Sequence, residues 1–347
     1  MLLLLLLLSH TVGAFDCISD TGKPVDSWLL IKAPQGLTYF YYDSFNKHFD
    51  ISPYSLNDTS KGALAHTTKQ LWHPDANYVL YNDQAPKGNS ENKTYDSDAD
   101  ADANANAFGH TKGFFAFDNE ANGFWLTHSI PLFPLGPSKT NDYLGLGSNA
   151  FTYAQHLLCL SVNADILNDL ASKFLLNKPN IYGSAIKASN YHNINQLVLG
   201  KYSTEKRCES SPFLTQAGME FTVYAKTAQW NNELWAECVT PRQKDTLLVE
   251  SWIRGSAEGP ICPVTDYDTL DIKYLDFLSN TYSYSWPETK DHSKWAITLN
   301  KPIVCMGDIN RMTTQYSRGG GTACFSDMTL HSILKKAITT TDTCRTF

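Results

Sequence analysis

Eight cysteines behind an apolar leader constrain this chain more than any other feature of its sequence. Met1 is followed by Leu2 to Leu8, then by Val12, Gly13 and Ala14, small residues where signal peptidase requires them. Residues 1–14 read as a secretory signal, with Phe15 starting the mature chain. The apolar run is too short to span a bilayer, and no later stretch approaches the ~18 apolar residues that a span needs. No membrane partner is expected. Thiols oxidise along that route, so Cys17, Cys159, Cys208, Cys238, Cys262, Cys305, Cys324 and Cys344 read as four disulfides. No Cys-x-x-Cys pair is present, which argues against a zinc or thioredoxin-like site. Asn57 and Asn92 each open an Asn-x-Thr glycosylation sequon, expected on surface loops.

With 347 residues, 42% of them hydrophobic, the chain is long enough for one large domain or two ordinary ones. A formal charge of −7 excludes a protein that finds nucleic acid through bulk positive charge at neutral pH. The leader holds one of the 10 histidines and none of the charged residues. Full protonation of the other nine would bring the balance to about +2, favouring an anionic polymer near pH 5.

Ser97 to Ala107 is an Asp/Ala/Asn run with no large apolar side chain, so it can give no core face. Residues 87–107 together read as an exposed loop and a favoured site of proteolysis. The run lacks the glycine and distal glutamate of a calcium loop. Around it the pattern is β-rich. Tyr78–Tyr81, Phe114–Phe117, Phe124–Thr127, Phe221–Ala225 and Leu247–Ile253 read as strands, with a hairpin turn at Asn119–Gly123. One amphipathic helix starts near Asn163 or Asp165 and places Ile166, Leu167, Leu170 and Phe174 on one face. A second starts near Ser326 and carries Leu330, Ile333, Leu334, Ala337 and Ile338. Periodicity thus gives a mixture of helix and sheet without its topology.

A long-range echo divides the chain. Gly109-His110-Thr111-Lys112-Gly113-Phe114 and Asp291-His292-Ser293-Lys294-Trp295-Ala296 are both His-(Thr/Ser)-Lys running into an apolar stretch. Residues i and i+2 of a strand share a face, so His110 projects with Lys112 and His292 with Lys294. A nearby ammonium disfavours imidazole protonation and preserves a nucleophilic nitrogen. The same lysine can hold charge that builds on a phosphate oxygen. Two facing pairs would supply a nucleophile, a general acid and two cations. Arg311 and Arg318 precede a glycine run including Gly319 and Gly320, where backbone N–H groups and guanidinium groups could meet a phosphate. Asp308 or Asn310 could orient an imidazole. His128 joins the same face only if the hairpin register allows it. His48, His66, His73, His156, His192 and His331 read as structural or surface residues.

Several ordered segments carry a family resemblance. Tyr81-Asn82-Asp83-Gln84-Ala85-Pro86, Gly109–Gly113, Gly123–Pro131, Asp291–Trp295, Gly307–Arg311 and Arg318–Gly321 together resemble deoxyribonuclease II. The resemblance implies an α+β fold of two pseudo-symmetric halves similar to the phospholipase D superfamily, 15–165 and 166–347, sharing one cleft. It implies an acid endonuclease acting on DNA without divalent metal or other cofactor, leaving 3′-phosphate and 5′-hydroxyl ends through a phosphohistidine. His110, Lys112, His292 and Lys294 would be its catalytic set. It also implies Cys17–Cys159, Cys262–Cys344 and Cys305–Cys324, leaving Cys208 to pair with Cys238, and a tendency to homodimers. A lysosomal or secreted destination follows, the alternative being a venom or extracellular protein that kept the fold as a toxin or non-catalytic binder.

Overall fold

The computed structural model describes residues 15–86, 107–253, 255–263, 266–279 and 282–344. The leader, the Asp/Ala/Asn run up to residue 106 and the Asn92 sequon lie outside the described residues. The first part of the chain forms β1 (Cys17–Ile18), β2 (Pro24–Val25), β3 (Ser27–Lys32), β4 (Tyr39–Asp43), β5 (Asp50–Ile51) and α1 (Ala63–Lys69). It continues through β6 (Asn77–Asn82), β7 (Lys112–Phe117), β8 (Gly123–His128), β9 (Gln155–Ser161), α2 (Ala164–Asn177) and β10 (Ile181–Ala185). Then come α3 (His192–Val198), β11 (Cys208–Leu214), β12 (Glu220–Lys226), α4 (Thr240–Gln243), β13 (Leu247–Ser251), β14 (Thr269–Leu278) and β15 (Ser283–Pro287). β16 (Lys294–Thr298), β17 (Ile303–Gly307), β18 (Gly320–Ser326), α5 (Met328–Ala337) and β19 (Ile338–Thr341) complete it.

β1 and β2 form a small sheet of their own, and two large sheets hold the other strands. The first runs β10-β6-β7-β8-β9-β3-β4-β5, and the second β11-β12-β18-β17-β16-β13-β14-β15 with β19 paired to β14. The order β6-β7-β8-β9-β3-β4 is matched by β13-β16-β17-β18-β12-β11, and β9 and β18 are each followed by a long helix. The echo in the sequence is therefore an echo of architecture. It departs from symmetry at the last hairpin, because β4 follows β3 whereas β11 precedes β12. The first sheet also extends past residue 165, where the sequence divided the halves. β10 returns to pair antiparallel with β6 and closes that strand's free edge.

β7 is buried along its whole length because both faces of its sheet are covered. Phe115 and Phe117 face a core shared between the two sheets, together with Trp295, Ile297, Val304 and Met306 of the second sheet. Phe114 and Ala116 face a separate core that includes Leu64 of α1. Asn163 caps α2 by accepting from Ile166 N at 2.9 Å, and Leu167, Leu170 and Phe174 are buried while Ile166 is half-buried. Asp327 caps α5 by accepting from Leu330 N at 3.0 Å. Ile338, read as part of that helix, instead begins β19.

All eight cysteines are paired, as Cys17–Cys159, Cys208–Cys238, Cys262–Cys344 and Cys305–Cys324. The first bond spans residues 87–106, so a cut there would leave the two pieces covalently joined. This framework fits maturation in an oxidising secretory route. Among the described residues no helix is long and apolar enough to cross a membrane.

Candidate active site

A cleft of about 400 Å³ takes its walls from both parts of the chain. Asp83, His110, Tyr153 and Gln155 line it on one side, and Trp252, His292, Asn310 and Arg318 on the other. β7 begins at Lys112 and β16 at Lys294, so each histidine sits in the bend just before its strand, not within it. Each is fixed from across the cleft. His110 N donates to Gly319 O at 2.8 Å, and His292 N donates to Ala154 O at 2.9 Å.

The rings are held differently. His110 Nδ1 lies 2.6 Å from the Asp308 carbonyl, which can only accept, so Nδ1 carries the proton and Nε2 keeps its lone pair. His292 Nδ1 lies 3.4 Å from Ser129 O. Its ring packs on Trp252 at 4.3 Å between centroids, with Tyr153 at 5.9 Å. Burial, then Lys112, pushes the His110 imidazole well below its ordinary range, and burial, then Lys294 and Lys112, does the same to His292.

Lys112 and Lys294 are both buried behind the histidines. Lys294 Nζ donates to His292 O at 2.5 Å and lies 3.4 Å from His292 Nδ1. Burial, then repulsion from Lys112, lowers Lys294 to about 7. Lys112 instead pairs with Asp83. Asp83 also accepts from Arg318 Nη2 at 3.0 Å and lies 3.8 Å from His110 Nε2. Burial alone would raise the Asp83 carboxyl, but Lys112, His110 and Arg318 hold it well below the usual carboxylate range. Asp83 was not singled out in sequence. Its signal was a place one residue past a strand whose Asn82 pairs with Lys112. His156, read as structural, accepts from Lys294 N at 3.1 Å and so supports the lysine.

Other expectations change. Arg311, expected at a phosphate, is completely buried and donates to Asp271 Oδ1 at 2.6 Å and to Gly259 O at 3.0 Å. It does not line the cleft. Arg311→Met should cost about 3–5 kcal/mol of stability by stranding Asp271, with KM unchanged. Urea unfolding and DNA kinetics on the same variant check this, and a raised KM at full stability would restore the phosphate role.

The glycines also have a packing role. A Cβ at Gly109 or Gly319 would strike the Asn177 carbonyl at the end of α2, so both serve close backbone approach. Gly320 begins β18, paired with Lys226. Asp308 orients His110 through its backbone, while its carboxylate accepts from Gly321 N at 3.3 Å. Burial pushes that carboxyl up to about 7. Asn310 is buried against the cleft with Oδ1 unpartnered. His128 shares the outward face with Leu126, packs on Phe133 at 5.3 Å and stays behind the cleft. Asn57 is half-buried, and its Oδ1 accepts from Leu146 N.

The acid-side charge is also distributed differently. His110, His128, His156 and His292 are all pushed down, foremost by burial, so each adds less charge on mild acidification than an ordinary histidine would. Burial raises the carboxyls of Glu233, Glu250, Asp291 and Asp308, and their protonation supplies part of the swing.

The fold and cleft define an α+β protein in which each half brings one histidine to a shared cleft, with one buried lysine behind it. Across residues 16–344 the chain matches the family described as Deoxyribonuclease II. It is 34% identical to Deoxyribonuclease-2 of Caenorhabditis elegans, covering 94% of this chain and 93% of that one. It is 30% identical to Deoxyribonuclease-2-alpha of Bos taurus over 93% of this chain and 89% of that one, and 28% identical to Plancitoxin-1 of Acanthaster planci over 96% and 94%. The chain belongs to the deoxyribonuclease II family, and it is a deoxyribonuclease whose substrate is DNA.

Proposed function

We infer that the protein hydrolyses DNA phosphodiesters in acid, without divalent metal, through a phosphohistidine formed in the shared cleft. One observation carries this reading: two buried imidazoles face one cleft from opposite halves, each against a backbone carbonyl at Nδ1 and each backed by a buried lysine. Nε2 of one imidazole attacks phosphorus. The P–O5′ bond breaks as the other imidazole gives its proton to O5′, leaving the 3′ fragment on nitrogen as a phosphoramidate. The deprotonated imidazole then takes a proton from water. The resulting hydroxide attacks phosphorus, the P–N bond breaks, and a 3′-phosphate departs. Lys112, Lys294 and Arg318 hold the charge on the phosphorane oxygens. Asp83 is occupied by Lys112 and Arg318, and this cationic setting receives a phosphate without a bridging cation. The four disulfides and the leader support a secreted or lysosomal product.

The pH dependence has a worked sign. The general-acid imidazole must be protonated, and burial and lysine repulsion lower its pKa, so its active form is lost as pH rises. Lys294 is charged below about 7, and its help to the phosphate is lost as pH rises through that value. Activity should therefore decline as pH rises, with the imidazole limb lying below the ordinary histidine value of about 6.5. Single-turnover cleavage across pH 4 to 8, quenched in alkali to keep phosphohistidine, tests both the profile and the intermediate. Full activity at pH 8, or no DNA retained on the protein, would count against the mechanism.

A further inference from the structure

Two lysines outside the His-x-Lys pairs are also completely buried, Lys32 at the end of β3 and Lys226 at the end of β12. β3 and β12 occupy corresponding places in the two sheets. Lys32 pairs with Gln155, the first residue of β9, and Lys226 with Gly320, the first residue of β18. Both ammonium groups are satisfied by backbone carbonyls. Lys32 Nζ donates to Ala33 O at 2.7 Å, Gly36 O at 2.8 Å and Phe151 O at 3.3 Å. Lys226 Nζ donates to Gln315 O at 3.1 Å and Tyr316 O at 2.7 Å. A buried ammonium costs several kcal/mol of desolvation, so such a group needs several strong acceptors and holds them firmly.

Phe151, Gln315 and Tyr316 belong to the two rim segments of the cleft, whereas Ala33 and Gly36 lie in the turn between β3 and β4, where Gln35 N and Gly36 N donate to Thr152 O at 3.2 Å and Phe151 O at 3.0 Å. The segment held by Lys32 runs from Phe151 through Thr152 and Tyr153 to Ala154, whose carbonyl accepts from His292 N at 2.9 Å. The segment held by Lys226 runs from Gln315 to Gly319, whose carbonyl accepts from His110 N at 2.8 Å. Each lysine is therefore two steps from the histidine of the other half. We propose that Lys32 and Lys226 are positioning residues, each fixing the rim that pins the opposite half's histidine. Catalytic relevance rests on the two-histidine reading above, whereas the anchoring itself does not.

The test uses the full mature chain with Lys32→Met and Lys226→Met, reading imidazole NMR signals beside kcat and KM. Lys226→Met should move the ring signals of His110 and spare His292, and Lys32→Met should do the reverse. Each should lower kcat by about a hundredfold, the cost of misplacing a reacting group by about 1 Å, with little change in KM. If a methionine variant does not fold, Lys32→Gln and Lys226→Gln, which keep a donor, take its place and should show the same crossed pattern more weakly. Equal disturbance of both rings, of neither, or of the same half's ring would overturn the proposal. Crossed ring shifts with full kcat would support the anchoring and count against the two-histidine chemistry.

Discussion

His110→Ala and His292→Ala will each lower kcat on plasmid DNA by roughly ten-thousandfold or more, and the double variant will be little worse than either single one. The two imidazoles complete one cycle, so removing either leaves the other without its counterpart. Both line the cleft at 9% and 7% exposure, so truncation opens the cleft and leaves the cores intact. Folding stability should fall far less than activity. Kinetics and thermal unfolding measured on one preparation separate the two effects. A loss below about tenfold for either variant would remove that histidine from the chemistry, because general acid–base catalysis alone contributes a hundredfold or more.

Lys294→Met should lower kcat by about a hundred- to a thousandfold at pH 5, the scale of losing one donor to a developing oxyanion. It should also move the pH profile. Lys294 is the largest cause after burial of the lowered His292 imidazole, so its removal raises that group toward its ordinary value. If His292 is the general acid, the alkaline limb moves to higher pH, because its proton is kept longer. If His292 is the nucleophile, the acid limb moves up instead, because its lone pair is lost sooner. An unmoved profile would show that Lys294 does not act on the imidazole beside it.

Three of the eight strands of the first sheet, β6, β7 and β8, are legible in sequence because burial on both faces leaves continuous apolar runs such as Phe114–Phe117, whereas β3, β4, β5, β9 and β10 are not among the expected strands. The capped helix after Asn163 is legible because its apolar residues recur at helical spacing. The His-x-Lys echo located the cleft, although the strands begin at the lysines, so the shared-face argument applies only in part. Asp83 escaped notice because a carboxylate's partners, here Lys112 and Arg318, come from 29 and 235 residues away in sequence. Arg311 misled for the converse reason. A cation beside a glycine run looks available until the fold brings Asp271 against it. Lys32 and Lys226 carry no motif, and only strand pairing reveals that they correspond. β10, returning across the division at residue 165, is a matter of topology that local periodicity does not encode.

The central claim is that two histidines cleave DNA through a covalent phosphoramidate with no metal. The most direct test is plasmid cleavage by the purified protein at about pH 5 in excess EDTA, with analysis of the ends. Nicking that proceeds undiminished and leaves 3′-phosphate and 5′-hydroxyl termini is the predicted result. Cleavage that requires added divalent metal, or that leaves 5′-phosphates, would contradict it.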